Sequence, residues 1–387
     1  MSTDTTSDAT SSDATSSDAT SSPGVTDPAE LGIDPGRLQI CVDRVRLEVE
    51  SGRLPSAQLA VARHGKLAYF DSFGDASPRY LLQSVGRPIV ASALWKLLGE
   101  GRLDLTTSVA SLVPEFGTNG KEAITVEHVL THTAGVPFAP LGFPKMTDRQ
   151  ERLKAFAKWR LDWEPGSQLQ FHLTSAAWLI AELVERIDGR PLPQYIQQEL
   201  AEPLGLTFEL AASVQRQAET VAPMVCIDGS VEDVDPWGPW FFNRPEVVAA
   251  GEPAHAMVAS AADMALFYQA VLEARLWTPE IIAEAIRPHV TAVAAGDQLY
   301  GGGTKPVSVG LFVMVAGESP DMWLPSIASP RTFGHSGSAY QMGWCDPDSG
   351  VSFSLLTNGY PVSGYDYTPR GVALITNVNN LAADILL

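Results

Sequence analysis

The chain has 387 residues, of which 45% are hydrophobic, and it carries a formal net charge of −19 with an isoelectric point near 4.7. This length and apolar content suffice to bury a large core, which indicates one large domain or two interleaved subdomains. A strongly acidic protein repels phosphate backbones and anionic lipids, so the charge argues against nucleic acid as a partner.

Two further features limit the class of protein. No apolar run reaches the roughly 18 residues that a membrane-spanning helix needs, and the acidic N-terminus lacks the apolar segment of a secretory signal. The three cysteines, Cys41, Cys226 and Cys345, are far apart in the chain and form neither a disulfide framework nor a metal-binding spacing. We therefore expect a cytoplasmic protein with no membrane contact, no metal and no cofactor. The oligomeric state stays open.

The N-terminal segment has a low-complexity composition. Residues 7–22 repeat the motif Ser-Asp-Ala-Thr-Ser three times and contain no large apolar side chain. Such a segment cannot offset the entropy lost on ordering, so we predict a disordered tail over residues 1–33. The folded domain is predicted to span residues 34–387. It begins with a helix, because Asp34 is a good N-cap and Pro35 suits the first helical position.

The predicted elements that follow place strands at both ends of the chain. Strands are predicted over residues 58–63 and 67–73, then a mostly helical middle, then strands over residues 307–315, 340–346 and 351–357 and a final helix over residues 371–385. A sheet built from both ends implies an α/β (α+β) fold. Its sheet part would comprise residues 34–83 and 300–387, and residues 84–299 would form a helical insertion beside it. We expect a cleft between the two parts.

A serine lies where the first helix of this middle section begins. Ser84 and Arg87 are three residues apart, so both side chains lie on one helix face. Free backbone N–H groups and the positive end of the helix dipole favour an anion that develops at such a serine. Taken alone, a serine before a helix is usually an N-cap, so the case for a nucleophile depends on the motifs further along the chain.

Those motifs resemble the serine β-lactamase and penicillin-recognising family in its esterase-like branch. Residues 83–105 resemble the stretch around the family's nucleophile, residues 124–137 resemble its "LLTHTSGLP" segment, and residues 334–338 (Gly-His-Ser-Gly-Ser) resemble its His-x-Gly motif. The similarity runs from about residue 37 to residue 385. It implies a β-lactamase/transpeptidase-like fold, in which helices flank an antiparallel sheet beside a mostly helical subdomain. It also implies that Ser84 is the nucleophile.

Two of the three family motifs are altered in this sequence. Where the family has Ser-x-x-Lys, this sequence has Arg87 in the lysine position. Where the family has Tyr-x-Asn, it has Phe171 in the tyrosine position and Leu173 in the asparagine position. A buried lysine can lose its proton near neutral pH, whereas an arginine stays charged. Phenylalanine cannot carry a proton, and leucine cannot bind a substrate amide through hydrogen bonds. Both residues that the resemblance implies for proton transfer, the lysine and the tyrosine, are therefore replaced in this sequence.

The resemblance also assigns roles to the remaining residues. His335 is the best candidate for a replacement base, and His172 is a weaker one because the middle residue of its motif points away from its neighbours. Arg87 would act by its charge, on the serine or on a substrate carboxylate. The backbone N–H groups of Ser84 and Ser338 would form the oxyanion hole. We expect the substrate to contact Phe171, Leu173, Gly337, Ser338 and Tyr340, and we interpret His128 and His132 as structural rings.

Three functions remain compatible with this pattern. We favour a weak or rewired carboxylesterase or acyl-transferring enzyme that uses Ser84 on a small ester or acyl substrate. Short-chain esters fit better than β-lactams because Leu173 lacks an amide-binding side chain. The first alternative is a non-catalytic binding protein that kept the fold and the cleft. The second is a structural or interaction role in which the pocket is incidental.

Overall fold

The computed structural model describes residues 24–230, 239–295, 305–318, 320, 323–363 and 368–386. Residues 1–23 of the predicted tail and residues 300–304 of the predicted sheet part lie outside these ranges.

The structure describes regular elements before residue 34. Val25 forms an isolated bridge with Leu67, and Pro28–Leu31 form a short 3-10 helix. The side chains of Leu31 and Ile33 are buried in the core. These two apolar residues hold the segment against the sheet, so the predicted tail boundary at residue 33 needs correction.

The helices and strands follow the predicted order. The α-helices are α1 (Pro35–Glu50), α2 (Arg87–Gly99), α3 (Val109–Leu112), α4 (Val126–Leu130), α5 (Arg149–Lys158), α6 (Ser175–Asp188), α7 (Leu192–Ile196), α8 (Glu202–Leu204), α9 (Val214–Thr220), α10 (Pro245–Ala249), α11 (Ala261–Leu272), α12 (Pro279–Ile286) and α13 (Pro369–Ala383). The strands are β1 (Ser56–Arg63), β2 (Lys66–Gly74), β3 (Arg79–Leu82), β4 (Glu209–Leu210), β5 (Val221–Ala222), β6 (Val225–Cys226), β7 (Met257–Ala259), β8 (Val290–Val293), β9 (Pro306–Val309), β10 (Met314–Val315), β11 (Phe333–Gly337), β12 (Gln341–Asp346), β13 (Val351–Thr357) and β14 (Gly359–Tyr360). None of the helices described is both long enough and apolar enough to span a bilayer.

Strands from the two ends of the chain form one antiparallel sheet. Its order is β2-β1-β13-β12-β11-β10-β9-β8, so β1 pairs with β13, as the strand-rich ends predict. The α/β fold with an antiparallel sheet and flanking helices is confirmed. Strand β8 also joins this sheet, although its sequence falls in the stretch that we assigned to the helical part.

The sheet is buried on both faces by helices. Side chains alternate along each strand, so that Val61 and Phe353 face one core with α1 and α13, while Ala60 and Leu356 face the other core with α2 and α11. This arrangement explains why β1, β12 and β13 are nearly continuous runs of buried residues.

A small second sheet positions the N-terminal end of α2. Its order is β4-β7-β3-β5, and β3 pairs with β7 in antiparallel register from Tyr80↔Ala259 to Leu82↔Met257. The chain leaves β3 and turns through a 3-10 turn at Ser84–Gly86 before α2 begins. The nucleophile candidate is therefore fixed between a strand and a buried helix.

We expect Gly334→Ala to destabilise the fold by about 2–3 kcal/mol, the typical cost of overpacking a tight core. A methyl group at Gly334 would lie 2.2 Å from the carbonyl oxygen of Gly343 and 2.6 Å from the Cα atom of Trp344. Both atoms belong to the backbone of β12 and cannot rotate away. Urea unfolding measures the effect, and Gly142→Ala is the control because its methyl group would meet nothing within 4 Å. Equal stability of the two variants would contradict the prediction.

Candidate active site

Ser84 has the surroundings of a nucleophile. Its side chain is only 2% exposed, and its hydroxyl has no hydrogen-bond partner within the part of the chain that the structure describes. The hydroxyl lies at the N-terminal end of α2, where backbone N–H groups and the helix dipole favour negative charge. A buried hydroxyl without a partner is costly, so this serine is not held there by its own hydrogen bonding.

Gln341 fixes the Ser84 turn to the large sheet. Its side-chain oxygen accepts a hydrogen bond from the backbone N–H of Gln83 at 2.9 Å, and its amide donates to the carbonyls of Leu81 and Thr357. The side chain is fully buried. One glutamine on β12 therefore joins the end of β3, the residue before Ser84 and the end of β13.

The end of β11 contacts the same turn. A methyl group at Gly337 would lie 3.0 Å from the Cβ atom of Gln83 and 3.1 Å from the backbone nitrogen of Val85. A side chain here would require these neighbours to shift, so a glycine suits this close approach. The next residue in the chain, Ser338, is also buried.

Arg87 is completely buried and lies among aromatic rings and carbonyls. Its guanidinium donates to the carbonyl oxygens of His172, at 3.3 Å, and Leu173. The guanidinium carbon lies 4.4 Å from the centre of the Phe171 ring and 5.3 Å from that of Phe312. Arg87 thus holds the backbone of the altered second motif and brings a positive charge into the site.

His335 lies within this group as a neutral ring. Its ring centre is 5.9 Å from that of Phe171, and its Nδ1 atom donates to the carbonyl of Ser336 at 2.6 Å. Burial, together with the charge of Arg87, lowers the pKa of His335 to about 3, although the bond to Ser336 opposes the shift. A neutral imidazole can accept a proton, but one with so low a pKa is a weak base.

The remaining histidines of the motifs are structural. His172 uses both ring nitrogens, since Nδ1 donates to the carbonyl of Gln170 at 2.7 Å and Nε2 accepts from the N–H of Val136 at 3.2 Å. His132 accepts from the backbone N–H of His172 at 3.1 Å, and His128 accepts from that of Thr125 in a capping box. In the described residues, no group of His, Cys, Asp or Glu side chains has the geometry of a metal site.

The predicted substrate-contacting residues surround Arg87 and β11. Phe171 is buried and Leu173 is half-buried, with its carbonyl bound to Arg87. Tyr340 is buried in the turn between β11 and β12 and has a left-handed backbone with φ of 56°. The structure therefore brings Arg87, Phe171, Leu173 and His335 together, and it sets Ser84 against the end of β11.

Sequence analysis missed an acid–histidine pair at this site. Glu252 and His255 are 1% and 4% exposed, and Nδ1 of His255 lies 2.8 Å from a carboxylate oxygen of Glu252. The ring of His255 stacks on Phe242, with ring centres 4.1 Å apart. The charge of His255 also acts on the pKa of His335, which places the two rings in one electrostatic environment. The one available signal was a glutamate three residues before a histidine, which is too common to single out.

The candidate catalytic side chains are buried in this structure. The exposed fractions of Ser84, Arg87 and His335 are 2%, 0% and 5%. A cavity of about 620 Å³ opens elsewhere, beside Phe138 and Lys145, and its lining includes none of the predicted site residues.

Comparison with known proteins supports the resemblance seen in the motifs. Residues 42–376 match the family model described as Beta-lactamase. Esterase EstB of Burkholderia gladioli is 31% identical over 210 residues, which cover 46% of this chain and 53% of that relative. The match thus spans about half the length of that curated relative.

Solved structures share the fold over most of the chain. A penicillin-binding protein homologue from Caulobacter crescentus superposes with a TM-score of 0.74 at 23% identity and covers 90% of this chain and 99% of its own. A family VIII carboxylesterase superposes with a TM-score of 0.74 at 20% identity and covers 91% of this chain and 99% of its own. Because the family model matches most of the residues, this chain belongs to the β-lactamase family.

Proposed function

We propose that this protein is a serine hydrolase that cleaves small carboxylic esters through an acyl intermediate on Ser84. The observation that carries the proposal is the buried hydroxyl of Ser84 at the start of α2, for which the described residues provide no hydrogen-bond partner. In a nucleophile this unsatisfied hydroxyl is expected, because its hydrogen bond forms with a base once the substrate is in place.

The surroundings of Ser84 support acyl transfer. The oxyanion of the tetrahedral intermediate would accept hydrogen bonds from the backbone N–H groups of Ser84 and Ser338. Such donors are typically worth about 10²–10³ in rate each. Two of the relatives are named as esterases, namely esterase EstB and the family VIII carboxylesterase. Both observations favour an ester substrate.

The altered motifs argue against penicillin as a substrate. Arg87 cannot take the serine proton, and Phe171 has no proton to relay. The side chain of Leu173 cannot bind the amide of a β-lactam substituent. We therefore expect ester hydrolysis to be weak and penicillin hydrolysis to be undetectable, with Phe171, Leu173 and Tyr340 in contact with the acyl or alcohol group.

We expect a fluorophosphonate to add one adduct to the wild-type protein and none to Ser84→Ala. Intact-mass measurement detects the adduct, and peptide mapping locates it. The control is Ser92→Ala, because Ser92 is another buried serine of α2 whose hydroxyl already donates to the carbonyl of Ile89 at 2.8 Å. Exposure to a penicillin should leave the mass unchanged.

Two outcomes would overturn the proposal. An unmodified wild-type protein after long exposure would leave the non-catalytic binding protein as the better interpretation. An adduct on a residue other than Ser84 would contradict the assignment of the nucleophile. Hydrolysis of p-nitrophenyl acetate and butyrate then measures whether the acyl intermediate turns over.

A further inference from the structure

The buried pair of Glu252 and His255 has the arrangement of a base and its orienting carboxylate. The Nδ1 atom of His255 faces a carboxylate oxygen of Glu252 at 2.8 Å, and the other carboxylate oxygen accepts from the backbone N–H of Ala254 at 3.2 Å. The ring also stacks on Phe242. These contacts hold the proton on Nδ1 and leave Nε2 as the acceptor nitrogen.

The pairing of β3 with β7 places this histidine near Ser84. Leu82 is opposite Met257 in the antiparallel register. Ser84 follows Leu82 by two residues and His255 precedes Met257 by two residues, so both lie just beyond the same end of the paired strands. A methyl group at Gly86 would lie 3.0 Å from the Cβ atom of Met257, which shows that the two segments stay in contact past the end of the strands.

The electrostatic surroundings of His255 include predicted site residues on neighbouring elements. The pKa of His255 is lowered by burial, raised by Glu252 and lowered by the charge of Arg87 on α2. His255 in turn acts on the pKa of His335 on β11. The ring is therefore within electrostatic range of two predicted site residues on two different elements.

We propose that Ser84, His255 and Glu252 form a catalytic triad, in which His255 is the general base and Glu252 is its positioning residue. The inference rests on the proposed function and assigns its missing base. His335, the base favoured by the sequence, has a backbone carbonyl at Nδ1 instead of a carboxylate. A carboxylate stabilises the imidazolium that forms during proton transfer, and a carbonyl does so less well.

The reaction balances with these three residues and water. Nε2 of His255 takes the proton of the Ser84 hydroxyl as Oγ bonds to the ester carbonyl carbon. The tetrahedral intermediate expels the alcohol, which takes that proton from His255. Water then attacks the acyl carbon and gives a proton to Nε2. Collapse of the second intermediate releases the carboxylic acid and returns the proton to Ser84. Glu252 keeps its charge throughout.

The test measures the rate constant for phosphonylation of Ser84 by a fluorophosphonate. We expect His255→Ala to lower it at least 100-fold, in line with the usual contribution of a general base of about 10²–10⁴. Imidazole added to His255→Ala should restore part of the rate, which a purely structural histidine would not show. His289→Ala is the matched control, because His289 also pairs with a glutamate, Glu127, at 2.9 Å. It should react like the wild type.

The positioning role of Glu252 has its own readout. We expect Glu252→Gln to lower the rate and to move the acidic limb of its pH profile to lower pH, because removal of the carboxylate further lowers the pKa of His255. The charged and titratable groups that face the ring from other elements, Arg87 and His335, are unchanged in this variant. Urea unfolding of each variant identifies any loss of fold, and His255→Gln replaces His255→Ala if the latter unfolds.

The outcomes separate the triad from the proposed function. If the wild type reacts at Ser84 and His255→Ala reacts at the same rate, the triad is wrong and the hydrolase stands. If His335→Ala loses the reaction while His255→Ala keeps it, His335 is the base. A reduced rate in His255→Ala without imidazole rescue in a folded protein would also overturn the triad. A wild type that never reacts overturns the proposed function itself.

Discussion

The free energy of unfolding should fall by at least about 4 kcal/mol between pH 7 and pH 5, because two buried histidines have low pKa values in the folded state. Burial, opposed by a bond to the Gln170 carbonyl, lowers the pKa of His172 to about 4, and burial together with the charge of Arg87 lowers that of His335 to about 3. Their ordinary value is 6.5. A loss of this size is a large share of the roughly 5–15 kcal/mol that stabilises a typical protein.

The direction follows from proton binding in the two states. Below pH 6.5 the unfolded chain binds protons on these rings, while the folded protein does not bind them until the pH approaches 4 and 3. Acid therefore favours the unfolded state over that window, by about 2 kcal/mol for each ring at pH 5. Stability is complete above the unfolded pKa and declines as the pH falls. His132 and His255, whose pKa values are also lowered by burial, add to the effect.

Urea unfolding at pH 7, 6 and 5 measures this decline. The variant His172→Gln should reduce the decline by about 2 kcal/mol, because it removes one of the two rings. His64→Gln, at an exposed position in the turn between β1 and β2, should leave the decline unchanged. A free energy of unfolding that stays flat from pH 7 to pH 5 would contradict the prediction.

The fold followed from local patterns in the sequence. Asp34 caps α1, with its carboxylate bound to the backbone N–H groups of Gly36 and Arg37, and the hairpin of β1 and β2 turns at His64 and Gly65. These signals depend on neighbouring residues, which sequence periodicity reports well. The structure at residues 28–33 was missed because it depends on Leu31 and Ile33, two isolated apolar residues that are buried in a core formed with residues distant in the sequence.

The sequence allows a prediction for those residues of the candidate site that belong to the recognised motifs. The order of the motifs predicts that Arg87, Phe171 and His335 lie in one cluster. In the structure the guanidinium carbon of Arg87 lies 4.4 Å from the centre of the Phe171 ring, and the ring centres of Phe171 and His335 are 5.9 Å apart. That His255 lies near Ser84 is inferred instead from the pairing register of two short strands. Strand register depends on tertiary packing, so no spacing within the sequence reveals it. The weakness of His335 as a base is likewise a consequence of burial beside Arg87.

The double variant Arg87→Lys with Phe171→Tyr should raise kcat/KM for p-nitrophenyl butyrate at least tenfold. This gain corresponds to an activation free energy that is lower by about 1.4 kcal/mol. Both substitutions restore the residues that the family resemblance implies. A lysine at the fully buried position 87 would have a lowered pKa and could lose its proton near pH 7. A tyrosine at position 171 would add a hydroxyl to a ring that lies 4.4 Å from the present guanidinium and 5.9 Å from the His335 ring.

The single variants and two triple variants isolate the cause of this gain. Each single change should give less than the pair, since the tyrosine relays a proton only when an amine is there to exchange it. Adding Ser84→Ala to the double variant should abolish the activity, which ties the gain to the acyl intermediate. Adding His255→Ala should leave much of the gain in place, because the new lysine accepts the serine proton by a second route. No gain in a folded double variant, or a wild type already tenfold faster than it, would mean that Arg87 does not occupy the place of the missing base.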